Sequence, residues 1–535
     1  MAVITPRDLE NGKTLEADIC ICGSGPAGIS LAHALEGSGR SVCIVESGID
    51  KPNEEIQHLN DLENVGFPLR PHFVNRLRMI GGTSNLWPGR CVRLDPIDFE
   101  RRPWVPFSGW PLAYAEYTAY MRRAAPLLRL PEPCPESPLA DGGSPSHIPG
   151  PEAWDAAGLD ATEGLWAKAP ARFWPIFRKR LTRSSGVTLI ADLTLTGLDF
   201  SDDGGHVTSL ETRDRSGRRF TVRAGQYILA MGGLENTRTL LLAAERNAQA
   251  RIPRAPLGKY YMDHPKTTCG RIELAEGVDW RRLVGRHAVP GGRRQLLFRL
   301  SPETQRREGL LNAYVNLEPS YSGGTEANYN RTIEILKRLL RKGHVGNRLD
   351  LSEMEGMRDL IYQLTPDEIV PYPVYRLLQF VKQHLKKPPR HLVIVNHCEQ
   401  IPNENSKISL SDQRDRFDNP RIRLHWEVVP AEIETLARLQ THLADFLEQN
   451  GIGKLVTDVS ELSGSHYTDA SHHMGGTRMS ADRETGVVDE HLAVHGVDNL
   501  HVLGSSVFPT GGAANPTWSI VALALRLADR LTDST

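Results

Sequence analysis

What this sequence lacks narrows it before any motif is read. Its 63 basic side chains meet 65 acidic ones over 535 residues, a net charge of −2, so no global field draws the chain to nucleic acid or to an acidic membrane surface. No stretch reaches a membrane-spanning length free of charge, and residues Met1 to Glu10 hold neither an apolar signal core nor a twin-arginine pair. The expectation is a cytoplasmic protein without a membrane span, with export beside a signal-bearing partner left open. Cysteine is sparse: the seven residues Cys20, Cys22, Cys43, Cys91, Cys134, Cys269 and Cys398 are odd in number and free of metal-ligand spacing. That pattern excludes a disulfide framework, points to no metal site, and reads as reduced core residues. No internal repeat is evident, and a small neutral substrate fits the charge balance best.

What is present begins near the N-terminus. Ala17-Asp-Ile-Cys-Ile-Cys-Gly23 reads as a buried strand, and Gly23-Ser-Gly25-Pro-Ala-Gly28 leads straight into an apolar helix ending near Gly37. A second strand, Ser41 to Glu46, closes the unit with an acid where a ribose hydroxyl needs an acceptor. The glycines permit the tight turn, and the helix N-terminus offers free N–H groups to a pyrophosphate. Strand, turn, helix, strand and acid together predict dinucleotide binding through Gly23, Gly25, Gly28 and Glu46.

The rest of the chain suggests discontinuous domains. Arg78 to Arg90 is a glycine-rich turn suited to a second part of the cofactor, and Pro131 to Gly158 reads as a surface flap. Val187 to Ala230 reads as a meander with a hairpin tip at Ser216-Gly217. Its last strand runs through Ala230 into Gly232-Gly233 and a helix from Leu234 to Glu245, repeating the first motif's logic. Residues 271–460 hold strands, among them Gln295 to Leu300 and His391 to His397, around a basic helical insert at 328–387, read as a solvated face. We therefore expect an α/β fold: a Rossmann-like unit from 1–105, 187–270 and 461–535, and a second unit from 106–186 and 271–460 on a mainly antiparallel sheet.

Two C-terminal turns carry the chemistry. Ser471-His-His-Met-Gly-Gly-Thr-Arg-Met479 and Gly511-Gly-Ala-Ala-Asn-Pro-Thr-Trp-Ser-Ile520 place histidines and an asparagine among glycines and before a proline, where a core needs neither. The strand Val395-Asn-His-Cys-Glu-Gln400 carries more polar side chains than a half-buried strand tolerates. Alternation puts Asn396, Cys398 and Gln400 on one face and His397 and Glu399 on the other, and we nominate Gln400 for substrate.

With these segments in hand, the chain resembles the glucose-methanol-choline (GMC) oxidoreductases. The motifs that match in order are Gly23 to Gly28, Gly81-Gly-Thr-Ser84, Ser108-Gly-Trp-Pro111, Ala230 to Asn236, Met262-Asp-His-Pro265, His473-Met-Gly-Gly-Thr477 and Asn515-Pro-Thr517. The closing segments look most like the family's sugar-oxidising branch, which includes pyranose 2-oxidase and bacterial glycoside 3-dehydrogenases. The resemblance implies FAD, contacted by Gly82, Ser84, Asn85, Ala230, Gly504, Ser505, Asn515 and Thr517 beside the residues above. It implies oxidation of a sugar or glycoside alcohol, with His473 as base, Asn515 holding the hydroxyl, and His472 as rival base or substrate contact. Some relatives attach FAD through a histidine where this chain has Leu86, so non-covalent FAD is expected. The resemblance also admits lyases and electron-transfer subunits. It leaves the acceptor open among oxygen, quinone and protein, and a small partner subunit or a homo-oligomer is compatible with the sequence.

Overall fold

The computed structural model describes residues 3–10, 12–71, 75–132, 149–320, 389, 391–457, 462 and 467–533. The basic insert at 328–387 and most of the expected flap lie outside them. Two large sheets organise the chain. The first has the strand order Val3–Ile4, Val187–Ala191, Val42–Glu46, Thr14–Cys22, Arg219–Leu229, Val207–Arg213, Thr194–Phe200, with Leu500–Val502 also paired to Arg219–Leu229. Its centre is parallel: Cys20 aligns with Cys43, and Ile228 with Ile21 and His501. Continuous apolar runs such as Val42–Glu46, buried at every position, suit a parallel sheet covered on both faces. The sequence reading differs at two strands. Arg90–Cys91, expected in the Rossmann-like unit, pairs instead with Leu159–Ala167 of the second sheet. Val187–Ala191 is not part of the meander but pairs parallel with Val42–Glu46, because the bulky apolar side chains of this strand complete the parallel core. Helices Pro26–Ala34 and Pro516–Asp533 join that core through Ile29, Leu31, Val521 and Leu525.

The second sheet runs Gly453–Val456, Lys266–Leu274, His391–Cys398, Ala313–Ser320, Gly292–Leu300, Leu159–Ala167, Arg90–Cys91, and its described pairs are antiparallel. Helix Pro430–Gln449 covers one face and buries Leu436, Leu439, Leu443 and Phe446 against it. A small third sheet joins Lys407–Arg414, Pro420–His425 and Leu62–Asn64. The result is an α/β fold of two discontinuous units. Among the described residues no helix is long and apolar enough to cross a membrane, and the six described cysteines are buried and free. Cys134 lies outside the described residues.

Candidate active site

A cavity of about 540 Å³ opens between the two large sheets. At one end lie Gly23, Gly25 and Glu46 from the first sheet; at the other lie Lys266 and His397 from the second, with His472, His473 and Asn515. The glycine turn shows what the first end is built to hold. A Cβ on Gly28 would sit 2.0 Å from the carbonyl oxygen of Gly23, so the helix can lie this close to the turn only with glycine there. A Cβ on Gly25 would meet no protein atom within 4 Å and would project into the cavity instead. Gly25 caps helix Pro26–Ala34, whose first-turn N–H groups lack partners within the helix, a ready site for a pyrophosphate.

Glu46 ends its strand beside that turn. Its Oε2 accepts from the Ser24 N–H at 2.9 Å and the Ser24 hydroxyl at 2.7 Å, and its Oε1 accepts from the Gly48 N–H at 2.7 Å. Only the longer Ser47 contact at 3.3 Å occupies the fourth acceptor position, so one ribose hydroxyl can still be accepted there. Arg76 and Arg78 line the same wall. Arg78 reaches Glu235 at 2.9 Å and Ser47 at 3.2 Å, while burial pushes the Arg76 guanidinium down to about 10, still charged at neutral pH. A glycine cradle, a helix N-terminus, two cations and a carboxylate together fit a dinucleotide of the flavin type.

The other nominated cofactor residues divide. Gly82, Ser84, Ala230, Gly504, Ser505, Asn515 and Thr517 line the cavity, as does Leu86. Asn85 does not: its Nδ2 donates to the carbonyls of Ile80 and Gly82 at 3.1 and 3.0 Å, so it ties the turn to itself.

The histidines sort by their partners. Ser471 adopts a left-handed backbone (φ 63°), held by Asp469, whose Oδ1 accepts from its N–H and hydroxyl at 2.9 and 3.0 Å. From this bend the two following side chains diverge. His473 turns its Nδ1 to the Tyr261 hydroxyl at 2.8 Å, with Asp263 at 3.4 Å, and its Nε2 is buried without a partner among the described residues. His472 turns its Nε2 to Asn515 Nδ2 at 3.1 Å and its Nδ1 to His264 Nδ1 at 2.7 Å. Asn515, expected to hold the substrate hydroxyl together with His473, contacts His472 instead. Asp263 carries this loop. Its carboxylate accepts the N–H of His264, Ala470 and His472 at 2.7 to 3.1 Å. Burial would raise its pKa, but His473 and the other histidines outweigh that and hold it below the usual carboxylate range.

Gln400 is also corrected. Its Oε1 accepts from the Asp263 N–H at 2.9 Å and the Trp426 indole at 2.8 Å, and its Nε2 donates to the Glu427 carbonyl at 2.6 Å, so it is a buried joint outside the cavity. The opposite face of that strand faces the cavity, through His397. This ring stacks on Tyr314 at 4.7 Å, and the Arg90 guanidinium lies 5.1 Å from the Tyr314 centroid. Burial, then Arg90 and Lys266, push His397 well below the ordinary imidazole value, so the ring is neutral. His397 Nε2 and Arg90 Nε and Nη2 have no hydrogen-bond partner among the described residues. Sequence alone assigns no role to Tyr261, Asp263 or His264, although Met262-Asp-His-Pro265 is among the matched motifs.

Comparison with known proteins agrees with this architecture. A family profile described as GMC oxidoreductase matches residues 402–524. The large subunit of fructose dehydrogenase from Gluconobacter japonicus is 22% identical over 97% of this chain and 98% of its own. The C-glycoside 3-oxidase of Microbacterium trichothecenolyticum is 28% identical over 25% of this chain and 26% of its own. Pyridoxine 4-oxidase from Mesorbium loti superposes with a TM-score of 0.55 at 17% identity, covering 96% of this chain and 98% of that one, a likeness of fold.

Proposed function

The chain belongs to the GMC oxidoreductase family and is an FAD-dependent enzyme acting on CH–OH donors, and from that premise we propose that it oxidises a secondary alcohol of a sugar, glycoside or related polyol to a ketone. Bound in the cavity, FAD supplies the hydride acceptor at N5. The protein must then hold the carbinol and take its proton. The observation that carries the reading is the 3.1 Å contact between His472 Nε2 and Asn515 Nδ2 on the cavity wall. In our reading the substrate hydroxyl enters between these two groups and opens their contact, so that His472, rather than the His473 nominated from the sequence, receives the hydroxyl proton at Nε2, and Asn515 donates to the hydroxyl oxygen from Nδ2. His473 becomes a support, because its Nδ1 is turned to the Tyr261 hydroxyl and Asp263 and it is His472 that meets Asn515.

A hydroxyl-rich ligand suits the far wall, where Arg90 and His397 hold nitrogens without protein partners. The names of two relatives, a fructose dehydrogenase and a C-glycoside 3-oxidase, support the same substrate class. FAD is held without a covalent link at Leu86, whose side chain has no nucleophile. The "large subunit" in the first relative's name supports a partner subunit that takes the electrons onward, and the buried free cysteines support a reducing compartment such as the cytoplasm.

Anaerobic addition of sugars, glycosides and cyclitols to the purified holoenzyme tests this directly. A substrate bleaches the oxidised flavin spectrum and yields a ketone. A panel that leaves the protein yellow while one compound is cleaved points to a lyase and overturns the proposal.

A further inference from the structure

One buried contact near the site is explained neither by cofactor binding nor by packing. His264 follows Asp263 just before Lys266–Leu274, 208 residues away in sequence from His472, yet their Nδ1 atoms stand 2.7 Å apart with the rings edge to face at 85°. Two lone pairs cannot share that distance, so one ring donates. Which one is decided at the other side of His264, where its Nε2 lies 2.8 Å from the Gly512 carbonyl oxygen. A carbonyl only accepts, so His264 Nε2 carries a hydrogen. Burial pushes His264 below the ordinary imidazole value, so the ring is neutral and its Nδ1 is a lone pair. The hydrogen in the gap therefore belongs to His472. Burial, and His264 after it, push His472 well below the same value, so it too is neutral and its Nε2 must be the lone pair. The direction of every hydrogen bond in the row follows from one backbone carbonyl.

Asp263, His264 and His472 also present ligand-type atoms within 4.8 Å of one another. A cation between the two rings would need both lone pairs and a wider gap, and Asp263 already accepts three backbone N–H groups, so the trio reads as a hydrogen-bonded unit. The charged or titratable groups around it include Asp263, His473 and Lys266 near His472, Asp263 and Glu399 near His264, and His397, which feels both rings.

We infer that His264 is a positioning residue for the proposed reaction: it accepts the Nδ1–H of His472 and so fixes the His472 lone pair on Nε2, the atom that meets Asn515. This rests on the reading of His472 as base. As Nε2 takes the substrate's proton, the Nδ1–H bond to His264 strengthens, which spreads the new positive charge beside the Asp263 carboxylate. Without that acceptor His472 is free to adopt the other tautomer, which has a hydrogen where the substrate's proton must go.

The test uses FAD-loaded full-length protein with a sugar that bleaches the parent. His264→Phe keeps a flat ring but removes the acceptor; His264→Asn keeps an acceptor near the Nδ1 position. We expect His264→Phe to retain FAD and to slow flavin reduction on the order of 10²- to 10⁴-fold, the range known when a catalytic imidazole loses its tautomer-fixing partner. His264→Asn should recover at least about tenfold of that loss. Nitrogen-15 NMR of histidine-labelled parent should show His472 protonated at Nδ1. Parental rates in His264→Phe, an Asn variant as slow as the Phe variant, or an Nε2–H signal for His472 in the parent each overturn the inference. If the Phe variant does not fold, the NMR of the parent decides alone. His472→Ala, run in parallel, separates the two claims: if it keeps the parental rate, the base is misassigned whatever His264 does.

Discussion

Replacing Glu46 with glutamine changes one oxygen of a carboxylate that takes three short hydrogen bonds. In the parent the donors are the Ser24 N–H and hydroxyl on one oxygen and the Gly48 N–H on the other. The glutamine amide keeps a single acceptor oxygen, so its NH₂ group must face either the Ser24 or the Gly48 N–H. At least one hydrogen bond to a charged group is lost, worth about 1.5–3 kcal/mol, and the ribose hydroxyl loses its charged acceptor as well. If that loss falls on the bound state, FAD binding weakens by about 10- to 150-fold, since each 1.4 kcal/mol or so is a factor of ten. Titrating FAD into the apoprotein by fluorescence quenching measures this, and flavin reduction at saturating FAD should stay at the parental rate. A variant that binds FAD within about twofold of the parent, with only the apoprotein melting earlier, refutes the ribose role and leaves Glu46 as a brace for the turn.

Acid precipitation of the yellow protein should release FAD into the supernatant, because Leu86 offers no atom for a covalent link; colour that stays with the pellet contradicts this. Glu399→Ala should cost about 3–5 kcal/mol in urea unfolding, since it strands the fully buried Arg102 guanidinium that Glu399 clamps at 2.6 and 2.8 Å; a loss under about 1 kcal/mol would mean Arg102 finds another partner. The pH dependence of kcat/KM follows from His472, which burial and His264 hold well below 6.5. A base works unprotonated, so the rate should be flat above that value and fall only as pH drops well below it. An acid limb centred at 6.5 or higher would contradict the assignment.

The nucleotide end was legible in sequence because its logic is local: strand, glycine turn, helix and acid lie within residues 17–46, and the turn chemistry leaves few alternatives. The substrate end was harder for a stated reason in each case. Alternation along Val395 to Gln400 separates two faces but does not say which one a helix covers. Here Pro430–Gln449 takes the Asn396 face, where Gln440 donates to Asn396 at 3.1 Å, and leaves His397 to the cavity. His472 and His473 are adjacent, and motif register alone does not tell which one turns inward. The left-handed bend at Ser471 and the distant Asp263 and Tyr261 make that choice. His264 lies in the matched Met262-Asp-His-Pro265 segment, but nothing local tells its role, since its partner lies 208 residues further on.

The central claim is that His472 takes the substrate's proton, and stopped-flow reduction of the bound flavin in His472→Ala and His473→Ala tests it most directly. Both variants should retain FAD. His472→Ala should lose about 10²- to 10⁴-fold in reduction rate, the usual contribution of a general base, while His473→Ala should lose far less, through looser support of the loop. The reverse order, with His473→Ala crippled and His472→Ala near the parental rate, would contradict the account.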